Sequence, residues 1–126
     1  MTIEDDTRKA VEGYFNGWTT RNVPAAYAFL ADDLAFAGPT ASYKSAAEFR
    51  PALEGFAAMT KWARIVELLV QGNRAAMLYD CELPPPVGVL RIASFFRVEN
   101  GEIRAYETWF DATELRKLLA AKRPPQ

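Results

Sequence analysis

Histidine is absent from these 126 residues, and cysteine occurs once, as Cys81. Without histidine there is no Ser–His–Asp triad, no Cys–His pair and no imidazole-based metal site. One thiol cannot form an intramolecular disulfide, so a reducing, cytoplasmic setting is the expectation. Neither sign of charge is in excess. Fifteen basic and 16 acidic residues leave a net charge of −1, which offers no electrostatic footprint for nucleic acid or an anionic membrane. No run approaches the ~20 apolar residues of a membrane span. The polar, acidic stretch Met1–Lys9 lacks the apolar segment of a secretory signal.

What remains is an ordinary globular composition, 50% hydrophobic and 25% charged. At roughly 100–200 residues per domain, residues 1–126 are expected to form one domain. Such a chain buries about two-thirds of the surface its unfolded form exposes.

The first segment repeats apolar residues at helical spacing: Ile3, Thr7, Ala10, Val11, Tyr14, Phe15 and Trp18. Glu4, Asp5 and Asp6 sit where the helix dipole favours negative charge. Asn22 and Pro24 open a short second helix, with Val23, Ala26, Tyr27 and Leu30 as its stripe and Asp32–Asp33 at its end. Leu34–Ala37 then reads as a short strand stopped by Gly38–Pro39. Ser45-Ala46-Ala47-Glu48 matches a capping box, before a third helix carrying Phe49, Leu53, Phe56 and Met59. Pro51 is costly deep inside a helix, so the regular helix is expected to begin near Arg50.

From Trp62 the period changes. Trp62–Val70, Ala75–Leu83, Val87–Val98 and Ile103–Phe110 are rich in β-branched and aromatic residues and joined by short links, an antiparallel meander. Asn100-Gly101 is a strong hairpin signal. Asp111 and Glu114 would cap a last helix bearing Leu115, Leu118 and Leu119, and Lys122–Gln126 reads as a frayed tail. The order α-α-β-α-β-β-β-β-α is an α+β pattern in which helices cover one sheet face.

Several local words recur in this order: Tyr14-Phe15, Phe29-Leu30-Ala31-Asp32-Asp33, Gly38-Pro39, Gly101-Glu102-Ile103, and Tyr106 to Asp111. Together they resemble the nuclear transport factor-like superfamily. Its members include SnoaL-like polyketide cyclases, ketosteroid isomerases, scytalone dehydratases and limonene epoxide hydrolases. The resemblance implies a cone-shaped, cystatin-like fold, a curved antiparallel sheet wrapped around the long N-terminal helix and enclosing a pocket. It also implies a homodimer formed through the outer sheet face, and no cofactor.

Position by position, the family chemistry is only partly kept. Tyr14 stands at the place of the ketosteroid isomerases' oxyanion-donating tyrosine, whereas Gly38 replaces their catalytic aspartate and Ser94 their protonated acid. The strand pair of the limonene epoxide hydrolases falls on Asp80 and Glu82, and their last-strand aspartate on Thr108. Scytalone dehydratases and SnoaL-like cyclases rely on histidine, which this chain lacks.

The candidate catalytic residues are therefore Glu82 as acid or base, Asp80 as its pKa partner and Tyr14 as hydrogen-bond donor. Two residues apart on a strand, Asp80 and Glu82 share a face, and paired carboxylates can hold one proton near neutral pH. The resemblance turns that face inward. Strand alternation says the opposite, because Ala75, Met77, Tyr79, Cys81 and Leu83 form an unbroken apolar face of their own. The resemblance further implies a bulged Asn100-Gly101 turn that sets Thr108 beside Ser94 and turns Glu107 outward towards Arg91 or Arg97. Cys81 reads as a small buried apolar residue, and Asp32–Asp33 as a solvated helix end rather than a metal site.

The expected pocket wall comprises Trp18, Phe36, Phe56, Met59, Ile92, Ser94, Phe96, Tyr106, Thr108 and Phe110. It suits a small hydrophobic ring compound. Two readings follow: a cofactor-free lyase, isomerase, cyclase or hydrolase, or a non-catalytic ligand-binding or dimerisation module on the same fold.

Overall fold

Helix α1 (Ile3–Thr19) starts at a reciprocal cap. The Thr2 hydroxyl accepts from the Asp5 backbone N–H, and the Asp5 carboxylate accepts from that of Thr2. Thr7, Ala10, Val11, Tyr14, Phe15 and Trp18 form its buried stripe. Ile3, expected on that stripe, is exposed. The first turn reaches only the chain reversal at Gly72, and there Glu4 and Thr7 make the contacts. Gly17 lets the next segment come close, since a Cβ there would lie 2.5 Å from the Ala26 nitrogen.

The structure is a computed structural model that describes residues 2–121; the expected Lys122–Gln126 tail lies outside them. Helix α2 (Val23–Tyr27) is capped by Asn22, with Pro24 in its first turn. Strand β1 spans Leu30–Ala37, so Asp32 and Asp33 belong to a strand and not to a helix end. Its exposed edge of acids is used: both Asp33 carboxylate oxygens accept from Arg104 Nη1, at 2.9 and 2.7 Å. A two-residue strand β2 (Ser42–Tyr43) returns against β1.

Helix α3 (Ala46–Met59) begins at Ser45, not near Arg50, and holds Pro51 in its interior. The Ser45 hydroxyl accepts from the Glu48 backbone N–H, while Glu48 reaches back to the Lys44 N–H instead of closing the box on Ser45. That cap and the burial of Ala46, Phe49, Leu53 and Ala57 offset a proline cost of about 3 kcal/mol.

Strands β3 (Trp62–Gln71), β4 (Arg74–Leu83), β5 (Gly88–Glu99) and β6 (Glu102–Trp109) form the expected meander, and the six-stranded order is β2-β1-β6-β5-β4-β3. The sheet is curved and not fully antiparallel, because β1 joins β6 in parallel. Asn100 and Gly101 both have positive φ and make a tight two-residue turn that pairs Glu99 with Glu102. The expected bulge lies deeper than the turn: Val98 pairs with Ile103 and Arg97 with Ala105, which leaves Arg104 as the extra residue. From there Ser94 faces Thr108, as a bulged hairpin requires. Glu107 does pair across to Phe95 on the outer face. The arginines expected beside it are engaged elsewhere, Arg91 with Asp80 and Arg97 with Glu99.

Helix α4 (Thr113–Ala121) closes the described chain. Asp111 does not act as its first-turn cap with Glu114. It stands one residue further out and accepts from the Thr113 N–H and hydroxyl. No helix among the described residues is long and apolar enough to cross a membrane.

Candidate functional site

The inner face of the sheet, α1, α3 and α4 enclose a cavity of about 360 Å³. The sheet contributes Phe36, Tyr79, Ile92, Tyr106 and Thr108, all at inward positions of their strands. From α1 come Tyr14 and Trp18, one helical turn apart. Phe56 and Met59 on α3 and Phe110 after β6 also line it, so eight of the ten residues expected on the wall stand there. Gly38–Ala41, Pro51 and Gly55 of α3, and Leu115 and Leu119 of α4 also line it. A Cβ on Gly55 would meet nothing within 4 Å, which marks open space there.

Two expected wall residues are buried behind the lining. Phe96 stacks on Tyr106, with ring centroids 4.7 Å apart. Ser94 is covered by its own hydrogen bond to Thr108, Oγ to Oγ1 3.0 Å. The aromatic packing is continuous around them. Phe36 stacks on Phe49 at 4.4 Å, Tyr106 meets Tyr14 edge-on at 5.4 Å, and Trp18 meets Phe56 and Tyr79 edge-on at 5.7 and 5.8 Å. Such interlocked rings fix the shape of the wall.

The polar side-chain groups of the described lining are hydroxyls and the Trp18 indole N–H. Tyr14, Tyr79 and Tyr106 are buried and line the cavity, and Thr108 joins them. Burial pushes the pKa of all three tyrosines up, of Tyr14 and Tyr79 most. At neutral pH they are uncharged phenols. Among the described residues, no lining residue carries a charge. No cluster of three or more Cys, Asp or Glu gathers among the described residues.

Asp80 and Glu82 do not reach the cavity. Alternation along β4 prevails, and both occupy the outer face while Tyr79, Cys81 and Leu83 point inward. Asp80 accepts two bonds from Arg91, from Nε at 2.8 Å and Nη2 at 3.0 Å, with Arg64 3.8 Å away. The hydrogen bond from Arg91 holds its carboxyl below the usual range, which suits a permanent anion and not a proton donor. Glu82 accepts from Trp62 Nε1 at 2.8 Å and lies 3.5 Å from Lys61 Nζ. Cys81 is buried, and desolvation pushes its thiol up to about 12, so it is inert.

Sequence reading missed Tyr79 as a wall residue, although its place on the apolar face of β4 was the available signal. It also missed Tyr43, Phe49, Leu115 and Leu119. Their inclusion depends on where β2, α3 and α4 dock.

Comparison with known proteins agrees with this architecture. A protein from Kribbella flavida DSM 17836 superposes with a TM-score of 0.83 at 23% identity, covering 90% of this chain and 93% of its own. A candidate ketosteroid isomerase from the same organism gives 0.78 at 19%, covering 100% and 87%. An LEH-like epoxide hydrolase from M. tuberculosis gives 0.73 at 18%, covering 94% and 96%. At these identities the likeness is one of fold. No curated protein matches the chain. Residues 11–106 match the SnoaL-like domain family, and the chain belongs to it.

Proposed function

We propose that this protein binds a small, uncharged, hydrophobic ring compound without transforming it. The observation that carries this reading is a cavity whose lining, among the described residues, is uncharged throughout. An ionic ligand would lose its hydration there with no counter-ion, a cost of several kcal/mol. An apolar ring loses nothing and gains contact with the aromatic wall. The enzymatic reading, a lyase, isomerase, cyclase or hydrolase, has Tyr14 in its favour as a neutral donor. It lacks a carboxylate within the cavity to move a proton, since Asp80 and Glu82 face away.

Equilibrium dialysis with tetralin tests the binding reading. Tetralin should bind saturably, and its carboxylate analogue, 1,2,3,4-tetrahydro-1-naphthoate, at least about 100-fold more weakly. Equal binding of the anion sinks the assignment.

The same proposal includes a homodimer in the cytoplasm. Val66, Leu69, Phe95 and Trp109 are exposed, an apolar set that suits a second copy. Sedimentation at micromolar concentration should give the dimer mass, and a monomer alone would remove it.

A further inference from the structure

The chain has three indoles, and they differ in what their N–H meets. Trp62 is exposed, and its Nε1 donates to Glu82 at 2.8 Å. Trp109 is exposed as well, so water can serve it. Trp18 is only 2% exposed, yet its Nε1 donates to no atom of the described residues. Nor is that nitrogen sealed off. Among the described residues, the buried side-chain nitrogen or oxygen that is both covered and unpartnered is Arg104 Nε. Trp18 Nε1 therefore keeps open surface, and the space Trp18 borders is the cavity. Its ring is held on three sides, edge-on to Phe15, Phe56 and Tyr79 at 5.4, 5.7 and 5.8 Å. A buried indole N–H usually has a partner, and one shut away without it costs about 1–3 kcal/mol.

We propose that the cavity selects an uncharged two-ring compound bearing a hydrogen-bond-accepting oxygen, and that the Trp18 indole N–H is the donor that receives it. This names the ligand class of the binding reading above and rests on it. An indole N–H only donates, whereas a hydroxyl both donates and accepts. Tyr14, Tyr79 and Tyr106 can serve a ligand donor or a ligand acceptor, so they set no preference between them. Trp18 does set one. A hydrocarbon that fills the cavity drives water from the indole N–H and leaves it unpaired. A ligand oxygen in the same place pairs it. The number of rings follows from the volume. An apolar cavity of about 150 Å³ holds one benzene ring, so about 360 Å³ admits two fused rings with a substituent.

The test compares tetralin with 1-tetralone, the same two rings with one methylene turned into a carbonyl, by equilibrium dialysis. In the native protein 1-tetralone should bind at least as tightly as tetralin, although the hydrocarbon gains more by leaving water. In Trp18→Phe, which keeps an aromatic ring and removes the N–H, the balance should swing about tenfold towards tetralin. A merely structural role for Trp18 would weaken both compounds alike and leave their ratio where it was. A second measurement decides the matter if Trp18→Phe does not fold. In protein with isotope-labelled indoles, the Trp18 N–H resonance, identified by elimination with Trp62→Phe and Trp109→Phe, should move downfield with 1-tetralone and not with tetralin. Saturable tetralin binding with an unchanged ratio in Trp18→Phe, or with a Trp18 resonance that 1-tetralone does not move, overturns this proposal and leaves the binding reading standing. Failure of both compounds to bind overturns both.

Discussion

The two faces of β4 and β5 are one residue apart in sequence and opposite in chemistry. Inward, Tyr79, Cys81, Ile92 and Ser94 make an uncharged surface that ends in hydroxyls. Outward, Asp80, Glu82 and Arg91 form ion pairs beside exposed Val89 and Phe95. Charge on this sheet is tolerated where water or an arginine meets it and excluded where a ligand would sit. The pleat enforces the separation, since no residue of a regular strand can serve both faces. A residue's place in the alternation therefore says more about its chemistry than its correspondence to an acid in a distant relative.

The contrast breaks most sharply if a charge is moved inward. Ile92→Asp should destabilise the fold by more than about 4 kcal/mol, because the carboxylate would lie fully buried without a partner. Val89→Asp, on the outer face of the same strand, should change stability by no more than about 0.5 kcal/mol. Chemical denaturation of the two variants, with dimer mass checked for Val89→Asp, measures the difference directly.

Asp80→Asn probes the outer network. The native carboxyl has a lowered pKa, so its contribution is fully present above the unfolded value of about 3.9 and is lost as pH falls through the folded one. The variant should melt below the native protein at pH 7, and the gap should close as pH falls below 3.9. A gap that stays constant with pH would show that the Arg91 pair does not carry it.

The smallest effect is expected at the residue that the family resemblance favoured most. Glu82→Gln keeps the Trp62 hydrogen bond and loses only a half-exposed pair with Lys61, worth at most about 1 kcal/mol. Tetralin affinity should not move. A several-fold change would return Glu82 to the site and undo the division between the faces.

Much of this was legible in the residues. The helical stripe from Thr7 to Trp18, the Asn100-Gly101 reversal and the apolar face of β4 follow from periods of 3.6 and 2 and from turn chemistry. The misreadings have a common origin. Asp32 and Asp33 look like a helix end until β1 finds β6 as a parallel partner and Arg104 as a counter-ion. Pro51 looks like a helix start until Ser45 and the buried side of α3 outweigh it. In each case a weak local preference yields to a contact made at long range.

The sequence by itself determined which side chains could share a surface, because strand and helix periods are local properties of the backbone. It also determined that no histidine chemistry is possible. Only the tertiary structure decided that Tyr14, from α1, meets Tyr106 and Thr108, from β6, around one cavity. Those residues lie some 90 positions apart in the chain, and what joins them is the curvature of the sheet over α1 and a one-residue bulge at Arg104. Both arise from packing, and no local signal in the chain encodes them.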